Sequence, residues 1–149
     1  MAESGVKTVL IVDDSPKAGE ELRAIYEGLG LQVIGVLERA LEVEAFYEEH
    51  RPDLISLDII MPEMDGIECY FKLKEKHDEI RVIFVSALAG EARVVHSFGE
   101  QIDPACFIPK KPDPGERIRE VLAWMFEGTL LPEPDGPDAP PDIPGPSAD

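Results

Sequence analysis

Five short apolar runs divide most of this 149-residue chain. Each has the length of a buried strand, and turn-forming or polar residues follow it. Between the runs, apolar residues recur every three or four positions, as on one face of a helix. The alternation predicts an α/β fold, a parallel sheet with helices on both faces. The predicted strands are Thr8–Val12, Leu31–Val36, Leu54–Leu57, Arg81–Val85 and Ala105–Ile108.

Capping and breaking residues set the limits of the first predicted helix. Ser15 can cap it, Pro16 suits its first turn, and Gly28 with Gly30 ends it. Later helices are predicted at Leu41–His50, Ile67–Lys76, Glu91–Phe98 and around the apolar face of Ile118, Val121, Leu122 and Met125.

The composition narrows the range of partners. With 31 acidic and 14 basic residues the formal charge is −17, which disfavours nucleic acid and anionic membrane surfaces as direct partners. No apolar run approaches the ~20 residues that span a bilayer. Cys69 and Cys106 lack the spacing of a metal site or a disulfide framework. We therefore expect a soluble protein of the reducing cytoplasm.

The end of the chain differs in composition from the rest. Residues 129–149 contain seven prolines and five acidic residues but no Lys or Arg. Such a segment buries too little apolar surface to offset its chain entropy. The sequence thus predicts an N-terminal extension at 1–6, one domain at 7–127 and a disordered acidic, Pro-rich tail at 128–149.

Polar residues follow four of the predicted strands. They are Asp13 and Asp14 after the first strand, Asp58 after the third, Ser86 after the fourth, and Lys110 or Lys111 after the fifth. In a parallel α/β sheet these positions meet at one edge. Three neighbouring carboxylates repel each other, and a hard divalent cation relieves that repulsion. An amine and a hydroxyl opposite them can hold the oxygens of a phosphoryl group.

Four segments together carry a family resemblance: VLIVDDS, SLDIIMPEMDG, VSA and FIPKKP. In this order and spacing they resemble the receiver domain of bacterial two-component response regulators, over residues 7 to about 127. The resemblance implies a flavodoxin-like sheet with strand order 2-1-3-4-5.

The resemblance also implies roles for the residues at the strand ends. Asp58 is expected to accept a phosphoryl group from a histidine kinase or a phosphotransfer protein. Asp14 is expected to bind Mg²⁺ directly and Asp13 through water, with Asp58 and the Ile60 backbone carbonyl as further ligands; Mn²⁺ is the alternative ion. Ser86 would hydrogen-bond the phosphoryl group.

The output implied by the resemblance is a change of surface. Ser86 moves toward the phosphoryl group, Phe107 follows it inward, and the surface of the fourth helix, fifth strand and last helix changes. We expect a stand-alone signalling module that binds a downstream protein target, is not an enzyme beyond its own phosphotransfer, and is a monomer or a phosphorylation-dependent dimer.

Two segments depart from the family pattern. Counting from Phe107 selects Lys110 as the active lysine, whereas counting back from Pro112 selects Lys111. We favour Lys110, because the strand sets its distance from Phe107. Residues 99–105 also form a longer connection than the family usually has.

Two other functions compete with a phosphorylated receiver. A receiver-like scaffold could bind partners without phosphorylation. A phosphatase with an aspartyl-phosphate intermediate also begins from a strand-end Asp with Mg²⁺. That chemistry needs a second Asp two residues after the nucleophile, and this chain has Ile60 there.

Overall fold

The computed structural model describes residues 7–87, 102–111 and 113–128. Its strands are β1 (Thr8–Val12), β2 (Gln32–Leu37), β3 (Leu54–Leu57), β4 (Val82–Ser86) and β5 (Phe107–Pro109). All neighbouring strands are parallel, and the order across the sheet is β2-β1-β3-β4-β5. The predicted α/β class and the strand order implied by the resemblance are both confirmed.

The described helices are α1 (Pro16–Gly28), α2 (Val43–His50), α3 (Gly66–Lys76) and α4 (Gly115–Glu127). The helix predicted at Glu91–Phe98, the extension at 1–6 and residues 129–149 lie outside the described residues. Within the described part, no helix is long and apolar enough to cross a membrane.

The two faces of the sheet are covered by different helices. Leu10 and Val12 belong to the core cluster that includes Val43 of α2 and Leu73 of α3. Val9 and Ile11 are also buried but fall outside this cluster, since neighbouring residues of a strand point to opposite faces. Helix α1 covers that second face: the Cβ of an alanine at position 19 would meet Val36 of β2. Strands buried on both sides explain the uninterrupted apolar runs of the sequence.

The chain divides into two compact units, and the second begins at Arg117 within α4. In that unit the predicted apolar face is buried at Ile118, Val121 and Leu122. Met125 and Trp124 are half-buried.

Local side chains account for where some elements begin. Ser15 accepts a hydrogen bond from Ala18 N at 3.2 Å, so it caps α1 as predicted. The start of β5 differs from the prediction. The Asp103 carboxylate accepts from Ala105 N at 2.9 Å and the Asp103 carbonyl from Cys106 N at 2.9 Å, which holds residues 104–106 in a short 3₁₀ turn. The strand therefore begins at Phe107 rather than Ala105.

Candidate functional site

Backbone hydrogen bonds continue the sheet one residue past three strand ends. Asp13 N donates to Leu37 O at 2.9 Å, and Asp58 N donates to Val12 O at 2.9 Å. At the other side of the sheet Lys110 N donates to Ser86 O at 3.3 Å. The main chain of Asp13, Asp58 and Lys110 is thereby held at the carboxyl edge, where the sequence placed these residues.

Their side chains meet at that edge. Lys110 Nζ lies 2.8 Å from Asp13 Oδ2 and 3.3 Å from Asp58 Oδ2. Asp13 and Asp58 are 1% and 5% exposed, and the Lys110 side chain is 23% exposed. Asp14 is exposed, yet one of its carboxylate oxygens lies within 4.8 Å of oxygens of both other acids. Four of the predicted site residues thus form one cluster.

The electrostatics of the cluster follow from its burial. Burial raises the pKa of Asp13, and the charge of Asp58 raises it further. Hydrogen bonds that Asp13 accepts from Lys110 and Ser15 N lower this pKa but do not cancel the increase. Burial by itself lowers the pKa of Lys110, but its hydrogen bond to Asp13 and the charges of Asp58 and Asp13 outweigh that effect and leave the pKa raised. Lys110 therefore stays protonated, while a charge on Asp13 is costly without further positive charge nearby.

The donor set fits a hard divalent cation. Three carboxyl groups and one ammonium group share the site, so ionisation of all three acids would leave an excess of two negative charges. Asp58 Oδ1 is buried and has no hydrogen-bond partner among the described residues, although a buried carboxylate oxygen normally has one. Carboxylate oxygens are the ligands that Mg²⁺ prefers. The chemistry of the residues present thus agrees with the magnesium site implied by the resemblance.

Ser86 and Phe107 lie on the two strands beside this cluster. Ser86 is the last residue of β4 and is 1% exposed. Phe107 pairs in register with Phe84, and their rings stack at 5.1 Å between centroids. Phe107 is 5% exposed, so the described conformation has this ring inside the protein.

The structure distinguishes the two lysines that the sequence left open. The Lys110 amine contacts both buried acids, whereas Lys111 is exposed. Ile60, two residues after Asp58, is 56% exposed. Asp65 has a different role. Its carboxylate caps α3 by accepting a hydrogen bond from Glu68 N at 2.8 Å.

Gly66 also shapes the site. A Cβ at this position would lie 2.0 Å from the Asp58 carbonyl oxygen. Gly66 N donates to Ile59 O at 2.8 Å. The glycine thus lets the first turn of α3 pack directly against the backbone of Asp58. The Asp-Gly pair after the strand was the available signal, but it did not reveal this close contact.

A groove of about 790 Å³ adjoins the cluster on the α1 side. Ala18, Leu22 and Ile25 of α1 line this groove with apolar side chains, and Lys110 and Lys111 line it as well. A partner seated in this groove would lie next to the Lys110 side chain.

A parallel five-stranded sheet with acids and a lysine at its carboxyl edge defines an α/β domain with an acidic site. The family model for the response regulator receiver domain matches residues 9–122. The chemotaxis protein CheY of Bacillus subtilis is 32% identical over 114 residues, which cover 76% of this chain and 92% of that protein. CheY of Halobacterium salinarum is 32% identical and is covered to 97%, with 78% of this chain aligned.

Solved structures agree with the sequence comparisons. The structure of a CheX-CheY-BeF3-Mg²⁺ complex from Borrelia burgdorferi matches with a TM-score of 0.70 and 32% identity, covering 82% of this chain and 92% of the matched one. The response regulator domain of Thermotoga maritima CheB matches with a TM-score of 0.64 and 29% identity, covering 87% and 99%. The chain belongs to the response regulator receiver domain family and is a signalling domain of two-component systems. Receiver domains bind Mg²⁺ at an acidic pocket, and Asp13, Asp14 and Asp58 form such a cluster here.

Proposed function

We propose that this receiver accepts a phosphoryl group on Asp58 from the phosphohistidine of a histidine kinase or a phosphotransfer protein. The observation that carries the proposal is the contact between Lys110 Nζ and Asp58 Oδ2 at 3.3 Å, beside the carboxylates of Asp13 and Asp14. A nucleophilic carboxylate, a fixed ammonium group and a cation-binding acid set are the groups that phosphoryl transfer requires.

Each residue has a separate task in the proposed transfer. A carboxylate oxygen of Asp58 forms the new O–P bond as the P–N bond to the donor histidine breaks. Lys110 pairs with a phosphoryl oxygen, and the Ser86 hydroxyl donates a hydrogen bond to another. Asp13, Asp14, Asp58 and the Ile60 carbonyl would hold Mg²⁺, or Mn²⁺ as the alternative. When bound, the cation offsets the charge of the nucleophile and of the phosphoryl oxygens.

The phosphodonor is proposed to dock in the groove beside α1. Its apolar residues offer a surface for a protein partner, and Lys110 lies at its wall. Because net charge and groove composition both favour a protein partner, we assign neither nucleic acid nor membrane to this site.

The output is proposed to be a change in binding to a downstream protein. Once Ser86 engages the phosphoryl group, the packing around Phe107 on the neighbouring strand changes. Phe107 stacks on Phe84, so a shift of its ring alters β5 and its surroundings. We expect the protein to bind this target in the cytoplasm, as a monomer or as a phosphorylation-dependent dimer.

Acetyl phosphate with Mg²⁺ tests the acceptor directly. Intact mass should show one added phosphoryl group on the wild type and none on Asp58→Asn. Asp78→Asn is the matched control, because Asp78 is an exposed acid distant in sequence from the cluster. Equal behaviour of wild type and Asp58→Asn would reject Asp58 as the acceptor. Equal partner affinity for these two proteins under phosphorylating conditions would instead favour the scaffold function.

A further inference from the structure

The loop that joins Asp58 to α3 contains a strained turn. Glu63 has a φ of 73°, and Met64 N donates to Pro62 O at 2.8 Å. A hydrogen bond between residues two apart, across a residue with this φ, forms the rare and strained type of γ-turn. A side chain longer than glycine needs compensating contacts to stay in this conformation.

Arg39 supplies such a contact from the neighbouring connection between β2 and α2. Its Nε and Nη2 donate to Glu63 Oε1 at 3.0 and 2.7 Å, and Nη2 also donates to Oε2 at 2.9 Å. The two residues are 24 positions apart in the chain. A guanidinium fork of this kind fixes the orientation of the carboxylate as well as its position.

The rest of the loop is anchored on both sides of the turn. Ile59 and Met61 are buried, and Gly66 N bonds the Ile59 carbonyl. Pro62 and Glu63 at the tip are exposed, so core packing does not hold them. The fork from Arg39 is thus a side-chain contact that holds the exposed tip, which lies five residues after Asp58 in the same loop.

We propose that Arg39 and Glu63 form a clamp that holds this loop in the conformation used for cation binding and phosphorylation. Arg39 is then a positioning residue: it contacts neither the cation nor the phosphoryl group and acts through Glu63. The inference rests on the proposed function for its effect on Mg²⁺, whereas its effect on the loop does not depend on that function.

The expected effect is modest, because both side chains are about half exposed, at 49% and 47%. An exposed pair changes an equilibrium by about two- to fivefold. Arg39→Ala should accelerate amide hydrogen exchange in residues 59–65 of the metal-free protein by about this factor. It should weaken Mg²⁺ affinity, measured by titration calorimetry, to a similar degree.

Glu63→Gly separates the clamp from a general effect of charge. Glycine adopts a positive φ without strain, so this turn no longer needs the arginine. In the Glu63→Gly background, Arg39→Ala should change neither loop exchange nor Mg²⁺ affinity. Arg39→Lys keeps the charge but not the fork, and it should restore less than half of the lost protection.

Arg23→Ala is the matched control, since Arg23 forms an ion pair of similar exposure with Glu27 within α1. It should leave both measurements unchanged. If the loop of Arg39→Ala exchanged its amide hydrogens at the wild-type rate, the clamp would be overturned. It would also be overturned if Arg39→Ala accelerated loop exchange equally with and without Glu63→Gly. Faster exchange with unchanged Mg²⁺ affinity would overturn the positioning role. If the wild type failed to bind Mg²⁺, the proposed function would fail, and loop exchange would still decide for or against the clamp.

Discussion

Replacement of Gly66 by alanine tests how closely α3 packs against the acceptor strand. The added Cβ would lie 2.0 Å from the Asp58 carbonyl oxygen, whereas ordinary van der Waals contact begins at 3.4 Å. The two backbones would have to separate by about 1.4 Å, the difference between these distances. Neither side can yield by a change of rotamer, because the clash is with main-chain atoms.

The expected loss of stability is about 2 kcal/mol. Forced displacement in a packed region costs about 1–3 kcal/mol. Weakening the hydrogen bond from Gly66 N to Ile59 O adds about 1 kcal/mol. The higher helix propensity of alanine returns at most about 1 kcal/mol. The free energy of unfolding from urea titration of the metal-free protein, followed by circular dichroism, measures the net effect.

Gly66→Ala should reduce the rate of phosphorylation more than it reduces the stability of the fold. Reacting groups must be held within about 0.5 Å of their productive positions, and the displacement exceeds that. We expect the rate of phosphorylation by acetyl phosphate to fall on the order of a hundredfold.

Gly28→Ala is the control for this prediction. Gly28 is the last residue of α1, and no atom lies within 4 Å of a Cβ placed there. This change should be neutral or stabilise the protein by up to about 1 kcal/mol. A Gly66→Ala protein as stable and as active as the wild type would refute the inferred close packing at Asp58.

Three further predictions concern ionisable side chains. Burial raises the pKa of Asp13 in the folded state, so ionisation of this side chain opposes folding, and the stability of the metal-free protein should fall as pH rises through the carboxyl range. Asp13→Asn should remove that fall and make the protein more stable than the wild type at pH 7, as measured by urea titration with chelator. An Asp13→Asn protein less stable than wild type at pH 7 would contradict this. Lys110→Met should slow phosphorylation by acetyl phosphate on the order of a hundredfold, and Lys111→Met should slow it by less than about twofold. A larger effect of Lys111→Met than of Lys110→Met would assign the role of active lysine to Lys111. Burial raises the pKa of both Cys69 and Cys106 to about 12. Alkylation of these thiols at pH 8 should therefore be at least about tenfold slower in the native protein than in urea. Equal alkylation rates in the two conditions would show that the thiols are accessible.

Much of the fold follows from patterns that are local in the chain. The apolar runs at Thr8–Val12 and Leu54–Leu57 reveal buried strands, because a parallel sheet covered on both faces needs no polar alternation. The cap at Ser15 marks the start of α1 for an equally local reason. The sequence did not reveal that β5 begins at Phe107, since this depends on how the Asp103 side chain competes for the backbone of the turn.

By itself, the sequence determined the fold class and the set of polar residues at one edge of the sheet, because strand ends are visible in the order of apolar and polar residues. Only the tertiary structure decided which lysine meets the acids, since Lys110 and Asp58 are 52 residues apart and strand geometry selects the amine that enters. The contact of Arg39 with Glu63 and the closeness of Gly66 to the Asp58 carbonyl have the same origin. Both contacts depend on distances between segments that folding brings together, and these distances cannot be read from the sequence.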